Sequence, residues 1–196
     1  NGVRSDWTYD DAGQLLAVMH TKAGVVLDGF SYTYDSHGLR VSKRRVDGTA
    51  EVYGYDAADR LVRVDESTGR VSQYTLDSVG NRQSLVVSQG AIVTTTNSTS
   101  NTFNQLTNST RTGGGLPALA TTYVYDANGN LRQQGQTHYQ WDARNQLTAV
   151  DDGNLSSTFV YDAEGQRVKQ TVRQGEAITT TLYAGQYAEI RGNALI

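Results

Sequence analysis

The chain has no cysteine and a single proline, Pro117, in 196 residues. Lack of cysteine rules out disulfides and thiolate metal ligands, and it leaves the redox compartment unmarked. A lone proline means that few strands are denied a backbone donor. Long apolar runs are missing as well, and no stretch approaches the ~20 residues of a membrane-spanning helix. Apolar residues make up 37% of the chain, below the ~45–50% (glycine included) of an average domain. No signal peptide is visible and residue 1 is Asn1, not methionine, so the expectation is a segment of a longer polypeptide.

Neither sign of charge dominates. Seventeen basic residues against 20 acidic ones leave a net charge of −3, which gives no reason to expect nucleic acid or an anionic membrane as partner. Lys43-Arg44-Arg45 is the one basic cluster, and it reads as a solvated strand face.

What the chain does have is 20 glycines and 12 tyrosines, arranged periodically. Internal repeats decide the fold before anything else. The motif is aromatic, any residue, aromatic, Asp, two residues, then Gly or a substitute. Its full copies are Trp7–Gly13, Tyr32–Gly38, Tyr53–Asp59, Tyr74–Gly80, Tyr123–Gly129, Tyr139–Asn145 and Phe159–Gly165. In the fourth copy Leu76 replaces the second ring. A worn copy, Asn101-Thr102-Phe103-Asn104-Gln105-Leu106, falls between the fourth and fifth. With Asn104 taken as its anchor, successive anchors lie 25, 21, 21, 27, 22, 16 and 20 residues apart. A final copy fades at Leu182–Tyr187, with Ala184 in place of Asp.

Turn chemistry accounts for the motif. Asp at the first position of a type I turn accepts backbone N–H bonds from residues just ahead. Three residues later a positive φ is needed to join the turn to the returning strand. Glycine supplies it freely, and Asn and Asp tolerate it better than other residues. Gly13, Gly38, Asp59, Gly80, Gly129, Asn145 and Gly165 fill that place. The implied cross-strand pairs are Tyr9–Leu15, Tyr34–Arg40, Tyr55–Leu61, Leu76–Arg82, Tyr125–Leu131, Trp141–Leu147 and Tyr161–Arg167, with Arg stems covering rings where Arg occurs.

A second set of turns lies between: Asp47-Gly48, Ser67-Thr68-Gly69, Gln89-Gly90, Gln134-Gly135, Asp152-Gly153 and Gln174-Gly175, with Gly24 or Gly29 serving the first interval. Turns every ten residues or so predict an all-β antiparallel meander of roughly 15 or more strands, with no helix of any length. Residues 91–122 are expected to hold the worn repeat and a long surface loop around Gly113-Gly114-Gly115. A β-propeller is the rival architecture, because two repeats approach the ~43 residues of one blade.

The stretches Tyr125-Asp126-Ala127-Asn128-Gly129 and Tyr161-Asp162-Ala163-Glu164-Gly165 resemble the YD repeats of the Rhs family. That family takes in bacterial Rhs polymorphic toxins, the B and C components of Tc toxins, and teneurins. The resemblance covers the chain from Trp7 to about Tyr187 and implies one YD-repeat array over 1–196, fading over about 178–196. It implies a long curved sheet, an arc of a hollow shell that encapsulates a C-terminal toxin domain. Partners would be that cargo and neighbouring YD repeats, with end-to-end self-association possible. Localisation would be bacterial and secreted or cell-surface. The family's self-cleaving segment carries Asp-Pro motifs; this chain has no Asp-Pro dipeptide, so no catalytic residue is carried over.

No catalytic, cofactor-binding or metal-ligating residue is assigned. Asp126, Asn128 and Asn130 have the oxygen spacing of a calcium loop, but an EF-hand needs Gly and Glu where Leu131 and Thr137 stand. His20, His37 and His138 lie far apart, and Gly113-Gly114-Gly115 lacks the Lys-Ser/Thr of a phosphate loop. Asn97, Asn108 and Asn154 fit a glycosylation pattern that a Thr/Ser-rich chain meets by chance. The competing function is an adhesin module whose rings stack on glycans.

Overall fold

In a computed structural model, residues 2–183, 189–191 and 194–195 are described, and every regular element among them is a β-strand or a turn. The chain divides into two compact units, residues 1–105 with 109–119, and residues 106–108 with 120–196.

The first unit begins with β1 (Val3–Tyr9), β2 (Leu15–Lys22), β3 (Val25–Tyr34), β4 (Arg40–Arg45) and β5 (Ala50–Tyr55). It continues through β6 (Leu61–Glu66), β7 (Arg70–Leu76), β8 (Arg82–Gln89) and β9 (Ile92–Ser100). Each of the first eight pairs antiparallel with the next, as far as β9. β10 (Leu106–Gly113) carries residues of both units. The second unit holds β11 (Leu119–Tyr125) from residue 120 on, with β12 (Leu131–Gln134), β13 (Thr137–Trp141), β14 (Leu147–Asp151) and β15 (Leu155–Tyr161). β16 (Arg167–Gln174), β17 (Ala177–Tyr183), β18 (Glu189–Arg191) and β19 (Ala194–Leu195) follow, again each paired with its successor from β11 onward. Neither meander breaks into four-stranded blades, which rules out the propeller.

All seven anticipated ring-level pairs are present. All seven left-handed residues are left-handed, with φ between 59° at Asn145 and 96° at Gly80. The second set of turns stands too, with Gly48, Gly69, Gly90, Gly135, Gly153 and Gly175 at positive φ. In the first interval Ala23 and Gly24 make the turn (φ 50° and 79°). Gly29 sits inside β3 against Met19, where an added Cβ would meet the Met19 sulfur at 2.3 Å.

Three expectations are corrected. The anchor of the worn copy is Asn101, not Asn104: the Asn101 N–H donates to the Gln105 carbonyl and the Asn104 N–H donates to the Asn101 carbonyl. Asn104 is the left-handed residue, with φ 60°. Residues 91–122 are mostly strand, not a long loop, with short connections at 101–105 and 114–118. The arginines opposite rings reach diagonally: Arg40 pairs in register with Tyr34, yet its guanidinium lies 4.3 Å from the centroid of Tyr32. The Ala184 turn of the fading copy lies outside the described residues.

One regularity was not foreseen. In every full YD hairpin the register slips at the ring before Asp, so that one residue of the returning strand has no partner: Leu16, Val41, Val62, Gln83, Arg132, Thr148 and Val168. These are β-bulges, which bend the strand and raise its local twist.

Strand alternation puts Phe30, Tyr32 and Tyr34 on one face, and Tyr53 with Tyr55, Tyr139 with Trp141, and Phe159 with Tyr161 likewise. These rings are half-buried, whereas Thr33, Thr75, Val124, Gln140 and Val160, which point the other way, are exposed. No side chain among the described residues is fully enclosed, and Val18 is the single buried apolar one, at 8% exposure. The other buried side chains are small and polar and sit on the ring face: Ser72, Ser98, Ser157 and Thr181. Cohesion therefore rests on the backbone ladder and on rings shielding one another, each supported mainly by its neighbours.

Candidate functional site

The repeated turn is the unit from which the ring face is built. In all eight copies the anchor side chain accepts N–H bonds from the residues two and four ahead, as Asp10 does from Ala12 and Gln14. The same pair of bonds recurs at Asp35, Asp56 and Asp77. It recurs again at Asn101, Asp126, Asp142 and Asp162. Hydrogen bonds to the ionised form hold a carboxyl below its usual range. The Arg60 guanidinium, with backbone N–H groups, does this at Asp56; the Asn81 amide does it at Asp77 and the Asn130 amide at Asp126. Anchor carboxylates are thus occupied acceptors, and they serve the backbone rather than a substrate. Asp126 spends its oxygens on Asn128 and Asn130, the very residues of the calcium-like spacing.

Successive turns are tied by two further devices. The first uses the ring before the anchor in four of the copies. Tyr34 Oη donates to the Leu15 carbonyl (2.8 Å), Tyr55 Oη to the Arg40 carbonyl (2.7 Å), Trp141 Nε1 to that of Leu131 (2.8 Å) and Tyr161 Oη to that of Leu147 (2.8 Å). Each acceptor is the cross-strand partner of the preceding repeat's ring and immediately precedes a bulge residue. Sequence reading missed this ladder, although it left a signal. The ring position before the anchor holds Tyr or Trp, both donors, and never Phe; Phe159 occurs at the outer ring position. Where Leu76 cannot donate, Arg60 Nη1 bonds the Asp77 carbonyl instead (2.7 Å).

The second device runs along the turn tips. Each non-glycine residue in the left-handed seat of a YD turn bonds the preceding turn. Asp59 pairs with His37 Nδ1 (3.0 Å), Asn104 accepts from Asn81 (2.9 Å), and Asn145 accepts from both Asn128 (3.1 Å) and Asn130 (2.8 Å). Asp59 raises the pKa of His37 through that hydrogen bond and its charge. The remaining histidines are dispersed: His20 meets Ser5 Oγ at 2.8 Å, and His138 stands between Gln133 and Asp151.

On the ring face of the first unit, Glu51 accepts from Lys43 (2.8 Å) and Tyr53 (2.6 Å). The Lys43 ammonium, then the Tyr53 hydroxyl, hold the Glu51 carboxyl low, while burial and Glu51 push the Tyr53 phenol up. A cleft of about 240 Å³ lies beside them, lined by Phe30, Lys43, Arg45 and Glu66 among others. Its charges are mutually paired, Arg45 with Asp28 and Glu66 with Arg70. Among the described residues no three His, Asp or Glu side chains converge as a metal site. Among the same residues no helix is long and apolar enough to cross a membrane.

Comparison with known proteins agrees with this geometry. A family model for the teneurin YD-shell matches residues 49–191, and one for the RHS repeat matches residues 9–50. The tRNA3(Ser)-specific nuclease WapA of Bacillus spizizenii is 31% identical over 134 residues, which cover 67% of this chain and 5% of that protein. The tRNA nuclease WapA of Bacillus subtilis is equally similar over the same shares. Among solved structures, the TcdB2-TccC3-Cdc42 crystal structure is similar over 96% of this chain and 13% of that one, at 16% identity and TM-score 0.46. The Photorhabdus luminescens Tc holotoxin pore gives the same values.

Proposed function

The chain belongs to the teneurin YD-shell family, and from that premise we propose that it is a non-catalytic wall segment of a shell enclosing a C-terminal toxin domain. Its role as a shell-type structural segment follows from the family and from the hairpin array. The enclosed cargo is the finer part of the proposal. What carries the reading is the use of functional groups: anchor carboxylates hold their own turns, while the hydroxyls of Tyr34, Tyr55 and Tyr161 and the amides of Asn104 and Asn145 join one repeat to the next. A wall needs such joints and little else. The WapA relatives are named as tRNA nucleases, and this chain spans only 5% of their length, so the proposal leaves nuclease chemistry to other parts of such proteins. The same proposal places the protein at a bacterial cell surface or outside the cell.

A glycan-binding role has less support. Stacking on sugars needs open ring faces, whereas Tyr34, Tyr55, Trp141 and Tyr161 are half-buried and are held by bonds from their tips to the backbone.

The test is protease protection in the longer parent polypeptide. Trypsin added to the intact parent should leave the C-terminal domain uncut until the shell is opened by denaturant. A C-terminal domain cleaved as fast as its isolated counterpart, or a parent with no such domain, overturns the proposal.

A further inference from the structure

The worn repeat lacks both of its rings. Ser98 and Ser100 stand three and one residues before the Asn101 anchor, where other copies carry Tyr, Trp, Phe or Leu. A cavity of about 180 Å³ lies there, lined by Asp77, Asn81, Arg82, Ser98 and Ser100 among others. Ser98 is 8% exposed, and its buried hydroxyl has no hydrogen-bond partner. Buried polar groups are rarely left this way. The lining is present here, and the ring group that other copies supply is not.

Arg82 points to what that group is. It stands five residues after its anchor, as do Arg40 and Arg167. Arg40 lies over Tyr32 at 4.3 Å, and Arg167 lies over both Phe159 (5.5 Å) and Tyr183 (4.6 Å), the ring of the following strand pair. By the pairing register, with Lys169 opposite Leu182 and Ser84 opposite Asn97, the corresponding following position for Arg82 is Ser98. Among the described residues Arg82 makes no ion pair and lies over no ring. Its backbone carbonyl also stands where Leu15, Arg40, Leu131 and Leu147 accept a bond from the next repeat's ring.

We propose that this cavity binds a phenolic ring from outside the repeat, going beyond the wall role. The ring lies over Ser98 with its face against the Arg82 guanidinium, and its hydroxyl meets the Arg82 carbonyl. Size allows it, since cavities of about 150 Å³ admit benzene. The polar lining selects a phenol over a plain hydrocarbon, because Arg82 supplies cation–π attraction and the carbonyl an acceptor. A free phenol and a tyrosyl side chain on another polypeptide share this chemistry.

The probes are p-cresol, the tripeptide Gly-Tyr-Gly and cyclohexanol, titrated into the isotope-labelled chain by NMR. Cresol should give saturable amide shifts at Arg82, Ser98 and Ser100, with a Kd on the order of 1 mM. Cyclohexanol should bind at least several-fold more weakly. Ser100→Tyr fills the slot from within, so it should abolish the cresol shifts and raise Tm by roughly 2–4 °C. Arg82→Gln should retain the fold's amide dispersion and weaken cresol binding several-fold. Tripeptide binding equal to cresol's would assign the ring to a polypeptide, and its exclusion to a free phenol. The proposal fails if cresol gives no saturable shift at these residues, if cyclohexanol matches it, or if Ser100→Tyr leaves its binding intact.

Discussion

The Tyr34 hydroxyl donates a 2.8 Å bond to the carbonyl of Leu15, the residue that faces Tyr9 across the preceding hairpin. One ring thus closes its own turn and fastens the turn before it. Tyr34→Phe keeps the ring and removes only this bond, so it should cost about 1 kcal/mol, a typical net hydrogen-bond contribution. Urea unfolding should show a lower midpoint with an unchanged slope. Leu76→Tyr restores the missing donor in the fourth repeat and should shift the midpoint upward.

Asn145 holds a left-handed backbone (φ 59°) while its side-chain oxygen accepts from Asn128 and Asn130. Asn145→Ala keeps the strained backbone, at roughly 1–2 kcal/mol, and loses both bonds. It should therefore destabilise the chain more than Asn145→Gly, which relieves the strain. Thermal unfolding of the two variants decides the order.

Gly113 combines φ 83° with a close backbone approach: an added Cβ would lie 2.2 Å from the Val93 carbonyl oxygen. Gly113→Ala should destabilise by roughly 2 kcal/mol or more, since the strained conformation and the clash act together. Gly153→Ala, at φ 89° with open space around it, isolates the conformational part and should cost less.

Acid should act through the anchors. Asp56, Asp77 and Asp126 have folded pKa values below the ordinary aspartate value. Their contribution is present above the unfolded value, about 3.9, and is lost as pH falls through the folded values. Asn101 shows that a neutral amide can hold the same turn. Asp126→Asn should therefore fold normally and flatten the acid limb of a Tm-against-pH curve.

His37 acts in the opposite direction. Its folded pKa is raised by Asp59, so its contribution is complete below the unfolded histidine value, about 6.5, and disappears as pH climbs through the folded one. His37→Gln should remove that alkaline-side slope, and a one-dimensional proton titration of the His37 ring should give a midpoint above the unfolded value.

Most of the strand architecture was legible because the turn residues are chemically constrained. Only a few residue types accept a positive φ, and Asp10, Asp35 and their equivalents announce each bend. The worn repeat was misread because Phe103 imitates a ring before an anchor, when it is an 81% exposed residue on the turn tip. The bulges at Leu16 and its counterparts leave no residue signature, since Leu, Val, Gln, Arg and Thr all occur there. The ring ladder was recorded only as a missing Phe, a pattern that gains meaning once the acceptor carbonyl is known. The vacancy at Ser98 and Ser100 could not emerge until Asn101 was recognised as the anchor.

Because Val18 is the single buried apolar side chain among the described residues, those residues hold no centre whose loss would bring down the whole. Damage from a substitution stays with its immediate neighbours, and a repeat can drift as far as Ser98–Gln105 has without dragging the others along. Such an architecture can grow or shrink by duplicating or deleting hairpins, each new one needing only the two that flank it.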